Sequence, residues 1–210
     1  MDKLLALIAE VDDEEDVVVQ FRSVTWSDSS MSLRLVISMF DSPPENWHVQ
    51  CQDVLAYQLS SEGSHWLELL KDHPLLWQFK HESGSAYFYR APANVDAAVG
   101  ALYEAHRKAV GMWIQFGEYL NNKADLAKLL SAGNGLLAEG PMPLLALYRE
   151  TLKTHGLELD IRFAHPPRMW NGSEWRQLVL DNDAKALVLG TSYVIGSGWK
   201  AEQIDDVLRP

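Results

Sequence analysis

The 210-residue sequence contains a single cysteine, Cys51. One thiol cannot form an intramolecular disulfide, and it cannot supply the paired cysteines of a structural zinc site. The sequence also has no apolar run near the roughly 18 residues that a membrane-spanning helix needs. Its amino-terminal apolar run is interrupted early by acidic residues and lacks a small-residue cleavage site, so it does not read as a signal peptide. These absences predict a soluble, cytoplasmic protein that does not bind membranes.

Sequence signatures of catalysis and of cofactor binding are also missing. The pairs Gly133-x-Gly135 and Gly196-x-Gly198 are too short for a phosphate loop, and there is no Walker sequence or Gly-x-Ser-x-Gly elbow. The acidic segment 12–16 lacks the regular pattern of a calcium loop, so we expect a solvated link with weak divalent binding at most. The sequence therefore predicts no cofactor and no resident metal ion, and it favours a non-catalytic protein over an enzyme.

Basic residues are scarce in the first part of the chain. Residues 1–60 contain 3 Lys and Arg against 11 Asp and Glu, a net charge of −8, whereas residues 61–122 carry −2 and residues 123–210 carry −1. A field of this sign repels nucleic acid and anionic membranes and attracts basic groups. The charge pattern predicts a basic protein partner and no nucleic acid. The simpler alternative is that the charge maintains solubility.

Tryptophan is the residue that the sequence has in abundance. Most of the indole rings are expected in the core, because each contributes a large apolar area and needs only one partner for its N–H group. Tryptophan is also enriched at binding surfaces, where the others are expected. The eight residues are Trp26, Trp47, Trp66, Trp77, Trp113, Trp170, Trp175 and Trp199.

Hydrophobic periodicity predicts an α+β fold. A short amphipathic helix at 2–11 precedes three segments, 17–26, 31–39 and 47–57, in which apolar and polar residues alternate. That period of two predicts an antiparallel amino-terminal sheet, a three-stranded meander. The order of strands, helices and strands, without β–α alternation, favours α+β over a doubly wound sheet. The other predicted elements are a helix at 64–71, a hairpin of 75–79 with 85–89, central helices at 94–121, 123–131 and 141–155, carboxy-terminal antiparallel strands at 157–164, 177–180, 186–189 and 192–195, and a helix at 200–208.

The strongest helical pattern lies in the middle of the chain. Asn94 is placed to cap a helix, and apolar residues then recur at steps of three and four as far as Leu120. This pattern predicts one long amphipathic helix at 94–121 whose apolar face packs on a sheet.

The domain organisation predicted from the sequence is one α+β unit over residues 1–210. No internal repeat and no low-complexity linker is visible. The glycine-rich stretch 131–140 is the best candidate boundary within the chain. The subdomains that we expect within the unit are 1–122, with the meander, hairpin and long helix, and 123–210, with helices and then strands.

His106 is the one ionisable residue on the apolar stripe of the predicted long helix. A buried histidine can serve as a general base or as a metal ligand, and Glu104 is its nearest carboxylate in sequence. A core histidine that hydrogen bonds a carbonyl is the commoner arrangement, since a lone histidine has no ligand spacing.

Four further residues have weaker claims to a functional role. Cys51 lies on the apolar face of a predicted strand, as a buried structural thiol would. Asp53 shares that face if the strand is regular, so it must be paired or the strand must bulge or end there. His73 and His165 each precede a proline in an extended connection, where functional side chains often lie. Arginines that could pair with Asp53 are Arg22, Arg34 and Arg90.

Four short stretches resemble uncharacterised bacterial proteins, some of which occur in toxin–immunity settings. They are 72–77 (DHPLLW), 87–89 (YFY), 102–106 (LYEAH) and 111–114 (GMWI), within roughly a quarter of the chain. The resemblance implies no particular activity and no site.

Two hypotheses of different classes follow for the function. The first is a non-catalytic protein-binding module, such as an immunity-type protein, whose acidic amino-terminal third docks on a basic partner. The alternative is a small-molecule-binding protein or hydrolase with a pocket near His106. Its polar residues would be His106, Glu104, Asp53, His73 and His165.

Overall fold

A computed structural model describes residues 1–9, 17–121, 123, 125–170, 173–180 and 182–204. The predicted acidic link at 12–16 lies outside the described residues. The structure combines helices with antiparallel sheets, which confirms the α+β class. The elements in chain order are α1 (Asp2–Ala9), β1 (Val17–Ser27), β2 (Ser30–Met39), β3 (Glu45–Gln58), β4 (Glu68–Leu70), a 3-10 turn (Pro74–Leu76), α2 (Trp77–Lys80), β5 (Ser83–Phe88), α3 (Val95–Val110), α4 (Leu126–Ser131), β6 (Gly135–Pro141), α5 (Met142–Lys153), β7 (Asp160–His165), β8 (Arg168–Trp170), β9 (Trp175–Gln177), β10 (Lys185–Leu189) and β11 (Ser192–Ile204).

The chain divides into two compact units. The first unit comprises Met1–His73 and Asp183–Pro210, and the second comprises Pro74–Asn182. This division does not coincide with the expected subdomains 1–122 and 123–210, because the last strand of the chain pairs with β3 of the amino-terminal meander. Within the described residues, no helix has both the length and the apolar character that crossing a bilayer requires.

The first unit is built on a six-stranded antiparallel sheet in the order β1-β2-β3-β11-β10-β4. The predicted meander is confirmed: β1, β2 and β3 pair in order, and most of their alternating apolar residues face one core. Leu4 of α1 is fully buried in the same core. The fully buried residues of the meander in this core are Val19, Met31, Leu33, Leu35, Ile37, Val49 and Cys51.

One segment joins the two edge strands of this sheet. Val19 of β1 and Ser64 exchange two backbone hydrogen bonds, of 2.8 and 2.9 Å, and four residues later β4 pairs with β10. The helix predicted at 64–71 is therefore wrong. Leu67 and Leu69 both contact the core of the sheet, which is a spacing of two and not a helical one.

The last strand is longer than the sequence indicates. Gly196 and Gly198 were expected to end it, but β11 runs to Ile204 alongside β3, and the glycines lie where the register shifts. Residues 200–204 are therefore strand and not the start of the predicted helix at 200–208. The rest of that helix lies outside the described residues.

The second unit has a three-stranded antiparallel sheet, in the order β6-β5-β7, and a core that it shares with α3 and α5. The hairpin predicted for 75–79 with 85–89 is wrong, because 75–79 forms the 3-10 turn and most of α2. β5 pairs instead with β6 and β7. The glycine-rich stretch 131–140, expected as a boundary, contains most of β6 and lies inside this unit.

The central helix is about half as long as predicted. Asn94 caps α3 as expected, accepting a hydrogen bond from the Ala97 N–H at 3.0 Å. The helix ends at Gly111, whose left-handed φ of 57° a glycine adopts without strain. Phe116 and Leu120 still contact the same core, but from an irregular segment. The helical spacing of these two apolar residues therefore results from their contact with the core and not from a continuation of the helix.

The remaining helices and strands agree in part. The helices predicted at 123–131 and 141–155 are present as α4 and α5, and Gly156 has the left-handed backbone expected after the latter. The strand predicted at 177–180 is displaced, because β9 ends at Gln177 and pairs with β8.

Candidate functional site

His106 is buried in the core of the second unit. Its side chain lies on α3 with 2% of the residue exposed, and both ring nitrogens are hydrogen bonded. Nδ1 is 2.7 Å from the Tyr148 hydroxyl, and Nε2 is 2.8 Å from the Ile114 carbonyl oxygen. The ring of Phe116 packs against the imidazole edge to face, at 5.4 Å between centroids.

These two partners determine the tautomer of His106. A carbonyl can only accept, so Nε2 carries the proton and donates to Ile114. Nδ1 of the neutral ring then accepts from the Tyr148 hydroxyl. Burial raises the pKa of that hydroxyl, with Tyr119 adding to the effect, so Tyr148 keeps its proton. The imidazole has no nitrogen left for a substrate or a metal ion.

Cys51 is a buried structural thiol, as predicted. It is fully buried, and its Sγ lies 3.5 Å from the Gln52 carbonyl oxygen and 3.8 Å from that of Ser197. Burial and the nearby Asp53 carboxylate raise the pKa of the thiol to about 12. A thiol with so little thiolate at neutral pH is a poor nucleophile.

We therefore expect Cys51 to be unreactive in the folded protein. Ellman's reagent at pH 8 should modify the thiol only as fast as the chain unfolds, and addition of denaturant should release the full colour at once. Stoichiometric reaction of the native protein within seconds would show an accessible thiolate and would contradict this arrangement.

Asp53 is exposed because β3 bulges at this residue. Gln52 lies opposite Ser197 and Ala56 lies opposite Ile195, so three residues of β3 face a single residue of β11. Asp53 has a left-handed φ of 45°, and its Oδ2 accepts a hydrogen bond from the Ser197 hydroxyl at 3.0 Å. Of the two arrangements expected, the bulge is confirmed. None of the ion pairs among the described residues joins Asp53 to Arg22, Arg34 or Arg90.

The other candidates lie apart on the chain. Glu104 is exposed on α3, on a different side of the helix from His106. His165 is half-buried in β7, with its Nδ1 2.9 Å from the Pro166 carbonyl oxygen. His73 ends the first stretch of the first unit, and its partial burial lowers its pKa while the Asp72 carboxylate opposes the change. Among the residues that the structure describes, no group of three or more His, Cys, Asp or Glu side chains could hold a metal ion.

A groove of about 320 Å³ lies in the first unit, and none of these candidates is among the residues that line it. The cross-strand pair His48 and Glu202 forms part of its wall, with Nδ1 and Oε1 3.2 Å apart. Its other walls are polar or half-exposed, so it lacks the apolar lining with a few converging polar groups that small-molecule sites usually have. They come from Met1, Gln50, Trp199, Lys200 and Ala201.

An exposed aromatic pair lies at the margin of the first core. The rings of Trp26 and Tyr57 are 4.9 Å apart between centroids, although the residues are 47% and 52% exposed. Trp26 lies opposite Met31 in the β1–β2 register, and Tyr57 lies opposite Val194 in the β3–β11 register. Both partners are fully buried, and directly opposed residues share a face. The pair therefore extends the core face to the protein surface.

Two carboxylates accompany this aromatic pair. Asp28 is at the tip of the β1–β2 hairpin, and Asp53 is in the β3 bulge. The Val54 N–H donates to the Ser29 carbonyl at 3.0 Å, which holds the tip against the bulge. Both aspartates are exposed and both have a left-handed backbone, at φ 52° and 45°. We call the surface formed by Trp26, Asp28, Asp53 and Tyr57 the acidic rim.

Sequence reasoning found only part of the acidic rim. It selected Asp53 because a carboxylate on an apolar face needs an explanation, whereas Asp28 falls between the strands predicted at 17–26 and 31–39 and was not selected. Trp26 and Tyr57 were read as ordinary strand residues, and their contact could not be foreseen because 31 positions separate them. Comparison of the chain with protein-family models, with curated proteins and with solved structures found no match.

Proposed function

We propose that this protein is a non-catalytic binding module whose acidic first unit docks on a basic protein partner. An immunity-type protein that neutralises a basic toxin is one example of such a module. The docking surface is the acidic rim.

The observation that carries the proposal is the separation of charge between the two units. The first unit contains 7 Lys and Arg against 18 Asp and Glu, a net charge of −11, and the second contains 11 of each, a net charge of zero. A charge that served solubility alone could be spread over both units. A net charge of this sign and size in the first unit attracts a basic partner and raises its association rate.

The acidic rim is the surface of the first unit that we expect the basic partner to contact. Trp and Tyr are among the residues that contribute most to protein interfaces, and their ring faces attract Lys and Arg side chains. The carboxylates of Asp28 and Asp53 lie where those cations would arrive. A basic side chain of a partner would thus meet a ring face and a carboxylate together.

The alternative, a small-molecule-binding protein or hydrolase with a pocket near His106, is a second candidate. Both ring nitrogens of His106 are hydrogen bonded within the core of the second unit, so the binding module is the function that we propose.

The experiment is capture of the partner by the purified protein, followed by measurement of the affinity and of the association and dissociation rates with the purified partner. We expect affinity to fall at least about tenfold between roughly 0.05 M and 0.3 M salt, because the contact is between exposed charges. The rim variant Asp28→Asn/Asp53→Asn should lose about tenfold in affinity, mostly through slower association. Trp26→Ala should lose a similar factor through faster dissociation.

Asp41→Asn is the matched control. Asp41 is an exposed aspartate of the first unit with a left-handed φ of 58°, in the β2–β3 connection. That connection lies at the end of the meander opposite the β1–β2 hairpin. The affinity of the Asp41→Asn variant for the partner should stay within about twofold of the affinity of the parent protein. A partner that binds the rim variant and the parent protein equally well, or whose binding ignores salt, would overturn the proposal.

A further inference from the structure

We propose that copies of this chain associate head to tail, with the hairpin of β8 and β9 in one copy seated on the acidic rim of the next. The inference rests on the proposed function, since it takes the rim to be a docking surface for basic groups, and it names a second copy of the chain as an occupant of that surface.

The hairpin, which we call the tryptophan hairpin, comprises Arg168–Trp170 and Trp175–Gln177. Its strands pair only with each other among the described strands. Trp170 and Trp175 are cross-strand partners, with ring centroids 5.7 Å apart in an edge-to-face arrangement. They are nonetheless 52% and 64% exposed. Two contacting indole rings that are both exposed to solvent are an unusual surface feature for a monomeric protein.

Two exposed arginines flank this indole pair. Arg168 lies opposite Gln177, two positions from Trp170, and therefore shares its face of the ribbon. Arg176 lies opposite Met169 on the other face. Neither guanidinium takes part in an ion pair within the part of the chain that the structure describes. The hairpin thus presents cations beside aromatic rings, a composition typical of interface hot spots.

The rim and the hairpin are complementary in charge and alike in aromatic content. The rim offers two carboxylates and the rings of Trp26 and Tyr57. The hairpin offers the Arg168 guanidinium on the face that carries its indoles and the Arg176 guanidinium on the other face. Arginine makes paired hydrogen bonds to carboxylates and also stacks on aromatic faces, so one guanidinium can satisfy both features of the rim. The net charge of −11 argues against nucleic acid as the ligand of the hairpin. At physiological salt the Debye length is about 8 Å, so repulsion between whole chains is largely screened while contact pairs persist.

A contact between two different surfaces has a defined consequence for assembly. Each copy that joins leaves one rim and one hairpin unused, so growth continues into open oligomers unless the assembly closes into a ring, of which a reciprocal dimer is the smallest.

The test measures molar mass against concentration, up to roughly 0.1 mM at about 0.15 M salt, by light scattering and sedimentation velocity. The parent protein should rise in mass above a monomer as its concentration increases. The rim variant Asp28→Asn/Asp53→Asn and the hairpin variant Arg168→Gln/Arg176→Gln should each remain monomeric. An equimolar mixture of the two should form a dimer and grow no further, because each variant retains only one intact surface.

Asp41→Asn should assemble like the parent, and circular dichroism should show that all variants are folded, since substitutions of exposed residues change stability little. A parent protein that stays monomeric, or a hairpin variant that still assembles, overturns the inference. If the parent is monomeric but the rim variant still loses its basic partner, the head-to-tail contact fails and the proposed function stands. If the mixture stops at a dimer but no basic partner depends on the rim, self-association holds and the proposed function fails.

Discussion

Replacement of His106 by alanine should destabilise the protein by about 3–5 kcal/mol in chemical denaturation. The substitution removes a ring that packs against Phe116, and it leaves a cavity that a buried methyl group does not fill. It also leaves the buried Tyr148 hydroxyl without its acceptor and the Ile114 carbonyl without its donor. A buried polar group that loses its partner costs about 1–3 kcal/mol.

Two further variants show whether His106 is structural. Tyr148→Phe keeps the aromatic ring but removes the donor to Nδ1, so it should cost about 1–3 kcal/mol, and the double variant should cost less than the sum of the two. Glu104→Ala, on the exposed side of the same helix, should change stability by no more than about 0.5 kcal/mol. A catalytic histidine often gives the opposite pattern, with little loss of stability when it is removed. A loss below about 1 kcal/mol for His106→Ala would therefore reopen the enzyme hypothesis.

The parts of the fold that could be predicted are those set by local pattern. The meander could be predicted because apolar and polar residues alternate over 17–39, and only one strand arrangement places all the apolar side chains on a single buried face. A polar link between two such segments also favours a hairpin. The start of α3 was foreseen because Asn94 caps it. The end of α3 was not, because Phe116 and Leu120 keep a helical spacing after Gly111 has already turned the chain.

The parts that could not be predicted depend on contacts between distant residues. Gly196 and Gly198 normally indicate the end of a strand, but pairing with β3, more than 140 positions earlier, carries β11 past both. The same limit applies to the sites. The apolar stripe placed His106 in a core, but its partner Tyr148 lies 42 positions away and nothing local indicates it. The exposed indoles of the tryptophan hairpin have the same sequence signature as buried ones.

Replacement of Gly196 by alanine should be the second most damaging of the substitutions considered, with a loss of about 3 kcal/mol in unfolding free energy. The added Cβ would clash with the Cys51 Sγ and would lie 2.7 Å from the Gln52 carbonyl oxygen, both closer than real Cβ contacts. The backbone at Gly196 does not have a left-handed φ, so the effect is one of space and not of backbone strain.

This close approach also explains the position of Asp53. With no side chain at Gly196, β11 can lie against the Cys51 thiol, and three residues of β3 then bulge outward opposite this glycine and carry Asp53 to the acidic rim. Gly196→Ala should therefore weaken partner binding at temperatures where the variant is still folded, because it displaces the bulge.

Removal of the thiol in Cys51→Ala/Gly196→Ala should restore only part of the stability, since the Gln52 carbonyl is backbone and remains. Gly100→Ala, on the exposed face of α3 with no atom within 4 Å of the new Cβ, is the control and should stabilise the protein by about 0.5–1 kcal/mol. Equal stability of the Gly196→Ala and Gly100→Ala variants would show that the bulge does not depend on this contact.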